Sequence, residues 1–365
     1  MSRRPILYAA ITNHGFGHAT RMAAVLATVQ HLCPDILLLV VTTAPRWLLE
    51  SYLTGDFIVR TRALDGGVVQ TDGVTMDAAA TLAQVQDIYQ RRHRLMAGEV
   101  QFIQQNRVGL VLGDIPPLVA PIARAAGVPG WMMGNFGWDF IYRPWGGEFL
   151  ALADWMGECF SQSDRLFRLP FHEPMAAFPH ITDVGLTGGD PRFALGELRD
   201  YLGLTAPPER TVLLTFGGLG LEAVPYGNLA QFPDWQFLTL DATAPKLPNL
   251  IQLRGLCYQG HPLRPVDVMG LCRCILSKPG YGTFAEACRL GVPIITINRE
   301  GFAETPVLLA GLRQVLPHRI LQDREFFSPQ WDFLREPLTE PSQPGTLPQD
   351  GNGAIAQAIV DFFGA

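Results

Sequence analysis

The sequence predicts an α/β chain of two doubly wound halves, and three observations carry that prediction. Short apolar runs rich in Val, Ile and Leu alternate with helically periodic segments, as in parallel sheets covered on both faces. Two glycine-rich turns, Gly15-Phe16-Gly17-His18 and Pro279-Gly280-Tyr281-Gly282-Thr283, each lead from such a run into a helix. At 365 residues the chain also exceeds the size at which one hydrophobic core stops growing. A wound pattern met twice predicts two Rossmann-like domains facing one interdomain cleft.

The first half opens with the run Ile6 to Ile11, a glycine turn, and a helix over Ala19 to His31 in which Met22, Val25, Leu26 and Val29 share a face. Ile36 to Thr42 is the next strand. Ala78 to Gln105 lacks proline and has helical periodicity, and it leads into Val108 to Asp114, so Asp114 falls at a strand's carboxyl end. The helix Leu118 to Ala126 stops at Gly127, Val128 to Met133 resumes as a strand, and Asn135 to Asp139 forms the loop at its outer end.

Gly185 to Pro191 reads as a connector and Phe193 to Leu202 as a helix. Strands follow at Thr211 to Phe216, Trp235 to Leu240, Leu250 to Leu253, Cys274 to Leu276 and Ile294 to Ile297. Glu336 to Gly353 is rich in Pro, Gly, Ser and Gln and is expected to be an exposed loop, with a terminal helix over Ala354 to Phe363. The expected organisation is an N-terminal domain over 1–185, a C-terminal domain over 186–350, and a helix over 351–365 that packs back on the first domain.

Composition removes several classes of function. The net charge is -6 and the 28 Lys and Arg are scattered, without the basic footprint of a nucleic-acid binder. The six cysteines form no CxxC pair and read as free thiols in a reducing compartment. The first apolar run breaks at Asn13-His14, too soon for a signal peptide, and no stretch reaches the roughly 18 apolar residues of a membrane span. A cytoplasmic chain is expected, with a peripheral membrane contact left open. There is no Asp-x-Asp at a strand end and the eight histidines are dispersed, so neither a metal nor a cofactor is expected.

Gly15-x-Gly17 lacks the third glycine of a dinucleotide fingerprint, and the second strand ends in Thr42-Thr43-Ala44, without a ribose-binding acid. What remains is a turn that thrusts His18 into the crevice outside the strand ends, with Arg21 one helical turn on. Asp114, at another strand end, would orient the imidazole and raise the basicity of its far nitrogen. Capping the helix that begins near Pro116 is the competing role for Asp114. His14 is the weaker histidine. In the second half the helix after Gly280 offers its N-terminus and Thr283 to phosphate oxygens, Lys278 adds a point charge, and Glu286 is spaced to accept ribose hydroxyls. Gly217-Gly218-Leu219-Gly220 offers a further backbone surface. Trp138-Asp139-Phe140 and Tyr142 to Trp145 either stack on an acceptor or belong to the core.

Together these segments resemble the glycosyltransferases of the GT-B fold. Lys278 to Glu286, followed by Gly291-Val292-Pro293, is similar to the donor signature of UDP-sugar transferases, with Lys278 where that family has a diphosphate-binding His. Asn135-Phe136-x-Trp138-Asp139-Phe140-Ile141-Tyr142 and Lys278-x-Gly280-Tyr281-Gly282-Thr283 resemble the glycosyltransferase-like N-terminal region of plant L-arabinokinases. No sugar-kinase domain is recognised after it, so the chain is expected to act alone. Gly15 to Arg21 also resembles a bacterial nucleotide-sugar hydrolase whose histidine activates water.

The resemblance implies an inverting, metal-independent transferase of hexosyl or N-acetylhexosaminyl type. It would move sugar from a nucleotide sugar, a UDP-sugar by that signature, to a small-molecule or lipid-linked hydroxyl acceptor. It makes His18 and Asp114 catalytic. The donor side comprises Gly17, Gly218, Lys278, Gly280, Tyr281, Gly282, Thr283 and Glu286, with Glu304 standing in at shifted spacing for the family's Asp-Gln. Arg21, Asn135, Trp138 and Asp139 are placed on the acceptor side. Hydrolysis with the same histidine acting on water is the alternative, and a non-catalytic nucleotide-sugar binder is the third reading.

Overall fold

The computed structural model describes residues 4–12, 14–70, 76–217, 224–345 and 347–364. In the first half β1 (Ile6–Ile11), β2 (Leu37–Thr42), β3 (Phe57–Thr61), β4 (Leu110–Asp114), β5 (Gly130–Gly134), β6 (Arg165–Arg168) and β7 (Ile181–Asp183) form one parallel sheet, ordered β3-β2-β1-β4-β5-β6-β7. Along β1, Leu7, Ala9 and Ile11 enter one core while Tyr8 and Ala10 enter another. Burial on both faces is why the strand reads as an unbroken apolar run. The chain winds from β1 out to β3, and the helix Ala78–Asn106 then carries it back to β4 on the far side of β1. The crevice beyond the carboxyl ends of β1 and β4 is therefore a topological switch point, where open α/β sheets receive ligands.

The second half repeats the plan. β8 (Thr211–Thr215), β9 (Gln236–Thr239), β10 (Leu250–Gln252), β13 (Cys274–Ser277), β14 (Ile294–Ile297) and β15 (His318–Leu321) make a parallel sheet ordered β10-β9-β8-β13-β14-β15. The short hairpin of β11 (Cys257–Tyr258) and β12 (His261–Pro262) stands apart from it. The switch point of this sheet lies between β8 and β13.

One apolar core joins the halves. It takes Met22, Val25 and Val29 from the helix Gly17–Leu32, Phe284 from the helix Tyr281–Leu290, and Ile355 and Ile359 from the terminal helix Gly351–Phe363. The terminal helix lies against Gly17–Leu32, and it starts inside the segment expected to be an exposed loop. Two further cores fill the outer faces of the sheets.

Other local expectations change as well. Val108 is not part of β4, because Arg107 takes a left-handed conformation (φ 54°) and the Val108 N–H closes the preceding helix on the Ile103 carbonyl. β3 gives no clear strand signal in the sequence because it is an edge strand with Ile58 exposed and Arg60 and Arg62 nearby, which blurs its alternation. β15 and the helix Glu304–Val315, not among the elements expected from the sequence, complete the second sheet and the layer over it. Among the described residues no helix is long and apolar enough to cross a membrane.

Candidate active site

Gly15 sits in the left-handed region (φ 61°), which lets the chain leave β1 and enter the helix Gly17–Leu32 within a few residues. That turn delivers His18 to the first switch point. Its Nδ1 lies 3.0 Å from Asp114 Oδ1 at the end of β4. With the proton on Nδ1 the ring donates to the carboxylate, and Nε2 keeps its lone pair.

Arg21, one turn on, grips the same carboxylate. Its Nε donates to Asp114 Oδ2 at 2.7 Å and its Nη2 to Oδ1 at 2.5 Å. Burial alone would raise the Asp114 pKa, but Arg21 and His18 outweigh it and hold the carboxyl below its ordinary value. His18 is pushed down, by burial first and by Arg21 second, against the opposing pull of Asp114. Both effects favour the neutral imidazole. Capping is thus not the work of Asp114, whose two oxygens serve His18 and Arg21.

Arg21 Nη1 donates to Asn135 Oδ1 (2.7 Å), and Asn135 Nδ2 donates to Glu304 Oε1 (2.7 Å) at the start of the helix Glu304–Val315. Glu304 and Asn135, one from each half, meet in the cleft. Burial raises the Glu304 pKa, with Asn135 and Arg21 opposing. The guanidinium carbon of Arg21 lies 5.0 Å over the Tyr281 ring, whose hydroxyl accepts the Thr187 N–H at 3.3 Å.

At the second switch point Ser277 ends β13, and Lys278 lies beside Gly217, where a Cβ would stand 3.2 Å from Lys278 Cε. Gly217 has φ 81° and accommodates that approach. The helix Tyr281–Leu290 begins without a side-chain cap, with Gly280 preceding it and Thr283 half-buried in its first turn. Its start meets the start of the other helix: a Cβ on Gly282 would lie 3.7 Å from Gly17 Cα. Gly218 lies outside the described residues.

Three expected residues occupy different surroundings. Glu286 is turned to the interdomain connector, where Oε1 accepts the Gly189 N–H at 2.9 Å and faces the Tyr52 hydroxyl at 3.5 Å. A ribose could reach it only if those partners withdrew. Burial lifts its pKa to about 7, with the Gly189 hydrogen bond opposing. Trp138 is fully buried and donates to Thr12 Oγ1 and Asp65 Oδ2, both at 3.0 Å, so it walls the site as a core residue. Asp139 has its carboxyl against Gly137 and in the field of Glu173 and Arg143, and it takes no part in the described His18 network.

Sequence reasoning missed Arg299. It is buried just past β14, its guanidinium carbon 4.1 Å over the Phe302 ring. Its charge acts with that of Lys278 on His14, which burial, His18 and these two cations hold well below the usual histidine value. A basic residue at a strand's carboxyl end was the available signal. His14 itself stacks on Phe302 at 5.9 Å and meets Trp138 edge-on at 5.3 Å. Among the described residues no three His, Cys, Asp or Glu side chains gather as a metal site would need.

A hydrogen-bonded histidine–carboxylate pair at one switch point thus faces cations and an uncapped helix start at the other. Solved structures share the whole two-sheet plan. A UDP-glucose:anthocyanidin 3-O-glucosyltransferase in complex with UDP superposes with a TM-score of 0.61 at 12% identity, over 99% of this chain and 95% of that one. The calicheamicin glycosyltransferase CalG4 gives 0.58 at 17% identity, over 100% and 99%. The chain has the GT-B glycosyltransferase fold. Arabidopsis thaliana UGT89C1, solved with UDP-L-rhamnose, gives 0.59 at 14% identity over 99% and 95%. This GT-B chain is also 32% identical over 315 residues to the L-arabinokinase of Arabidopsis thaliana, covering 82% of this chain. The chain spans 28% of the length of that relative. No family model matches this chain.

Proposed function

We propose that the chain is an inverting, metal-independent glycosyltransferase that uses a nucleotide sugar, with a UDP-sugar as donor. The observation that carries this reading is the hydrogen-bonded His18–Asp114 pair in a cleft whose other wall holds Lys278, Arg299 and the start of the helix Tyr281–Leu290. His18 Nε2 takes the proton of the acceptor hydroxyl as its oxygen attacks the anomeric carbon from the face opposite the diphosphate. The anomeric C–O bond breaks, and its electron pair leaves on the nucleoside diphosphate. Lys278, Arg299 and the N–H groups at the helix start, with Gly17, Gly280, Gly282 and Thr283 around them, receive the growing negative charge. Glu304, whose Oε1 is held by Asn135, is taken to meet sugar hydroxyls with its other oxygen.

The structural neighbours solved with UDP or a UDP-sugar support the choice of donor. Which sugar is moved, hexosyl or N-acetylhexosaminyl, is the question for a donor panel. Incubating the protein with UDP-, GDP- and TDP-sugars, with and without hydroxyl acceptors, is expected to give acceptor-dependent release of UDP. Turnover confined to another nucleotide would reject the donor, and no turnover with any donor and acceptor would reject the enzymatic reading.

One observation favours hydrolysis as a second reading. His18 is only 7% exposed and is ringed by Phe136, Trp138 and His14, an enclosure that admits water more easily than a bulky acceptor. Fast release of free sugar with no acceptor present decides for it.

A further inference from the structure

We propose that Arg21 is the positioning residue of this site, fixing Asp114 from both of its oxygens so that the carboxylate aims His18 without charging it. The inference rests on the reading of His18 as the base, and its argument is geometric. Asp114 Oδ1 faces two donors, His18 Nδ1 at 3.0 Å and Arg21 Nη2 at 2.5 Å, and their common acceptor brings the two nitrogens within 3.0 Å of each other. Oδ2 takes Arg21 Nε at 2.7 Å. Both oxygens and the planar fork thereby fix one rotamer of the carboxylate, and a lysine, with a single nitrogen, has no equivalent grip.

The fork is itself held from the far side. Nη1 reaches Asn135, Asn135 reaches Glu304 of the second half, and the Tyr281 ring of that half covers the guanidinium. Arg21 is 2% exposed, so this set of partners replaces its hydration. The titratable and charged groups around His18 are Arg21 on its own helix, Asp114 on β4 and His14 in the loop before it, with Tyr281 and Glu304 reaching it through Arg21. An Asp–His pair without the arginine would place the full carboxylate charge on the imidazole and favour its protonated, non-basic form. Arg21 takes up that charge and leaves the ring neutral.

The test is an NMR titration of histidine-labelled full-length protein, which needs no turnover. In Arg21→Gln the His18 midpoint is expected to rise by about one pH unit or more, because Asp114 then answers to His18 alone. Arg21→Lys, which keeps the charge and suits the fold if the glutamine variant does not, is expected to raise it by about half a unit. A midpoint unmoved in a folded variant overturns the proposal. Where the donor panel yields a turnover assay, Arg21→Lys lowers kcat tenfold or more with KM within twofold, and an unchanged kcat also overturns it. Absence of turnover in the wild-type protein would defeat the proposed reaction while leaving the titration able to judge Arg21.

Discussion

Glu286 on the helix Tyr281–Leu290 accepts the backbone N–H of Gly189 at 2.9 Å, so a buried carboxyl of the second half is tied to the connector between the halves. Gly188 and Gly189 leave no room beside it: a Cβ would stand 2.8 Å from Glu286 Cγ at the first and 3.2 Å from Oε1 at the second. The junction also holds Arg264, stacked 4.7 Å over Tyr52, and Asn352, which donates to the Gly188 carbonyl at 2.7 Å.

The pH dependence of stability follows from that carboxyl. Its pKa of about 7 in the folded chain exceeds the ordinary glutamate value of 4.5. Between those values the folded state binds more protons than the unfolded one, so this group's stabilisation is full below 4.5 and is lost as pH rises through 7. The shift corresponds to roughly 3 kcal/mol at most. Glu286→Gln, neutral at every pH, is expected to flatten the fall in melting temperature between pH 5 and 8 and to melt higher than wild type at pH 8. Parallel curves for the two proteins would show that Glu286 does not titrate there.

Turnover is expected to follow the opposite sign. The base must be unprotonated, and burial with Arg21 holds His18 below its ordinary value, so kcat/KM should rise with pH on an acid limb whose midpoint lies under 6.5 and should level off above it. His18→Ala should lower kcat by about 100-fold or more, the usual worth of a positioned base, while calorimetric UDP affinity stays within about threefold. A variant that retains turnover removes His18 from the mechanism.

Lys278 and Arg299 should act on donor affinity, since both carry charge into the cleft from strand ends of the second sheet. Each change to Ala is expected to weaken UDP binding by about 10- to 100-fold, matching the ~1.5–3 kcal/mol of a charge-assisted hydrogen bond. UMP, with one phosphate fewer, should feel the changes less. EDTA should leave the rate with a UDP-sugar unchanged, and a metal requirement would redirect the account of the leaving group.

The parts legible in the sequence are those whose physics is local. The runs of β1, β4, β8 and β13 are buried on both faces and so stand out as strands, and their glycine turns place His18 and Lys278 at strand ends. Asp114 was legible for the same reason. Arg299 and the partners of Glu286 were not, because they are set by how the halves meet: Gly189 and Tyr52 lie 97 and 234 positions from Glu286. Between acceptor and core, Trp138 is decided by Thr12 and Asp65, distant in sequence, which take its N–H.

The fit between the halves can be tested with two glycines in helices. Gly311, on the helix Glu304–Val315, lies under the Phe171 ring of the first half, and a Cβ there would come 2.1 Å from Phe171 Cδ1. Phe171 is held in a left-handed conformation (φ 59°), and its carbonyl lies 3.5 Å from Asn135 Nδ2, next to the Arg21 network. Gly196, on the helix Leu195–Tyr201, has nothing within 4 Å of its Cβ position. Helix propensity alone would make Gly311→Ala stabilising by about 0.5–1 kcal/mol and Gly196→Ala, in the first turn of its helix, stabilising by less. Gly196→Ala is expected to show that gain as a higher melting temperature. At Gly311 the ring must move, and overpacking of about 1–3 kcal/mol reverses the sign. Because Phe171 borders Asn135, Gly311→Ala should also broaden the NMR signals of His18 while Gly196→Ala leaves them sharp. A gain in stability from both changes would mean that the halves do not pack through Phe171 and Gly311 in solution.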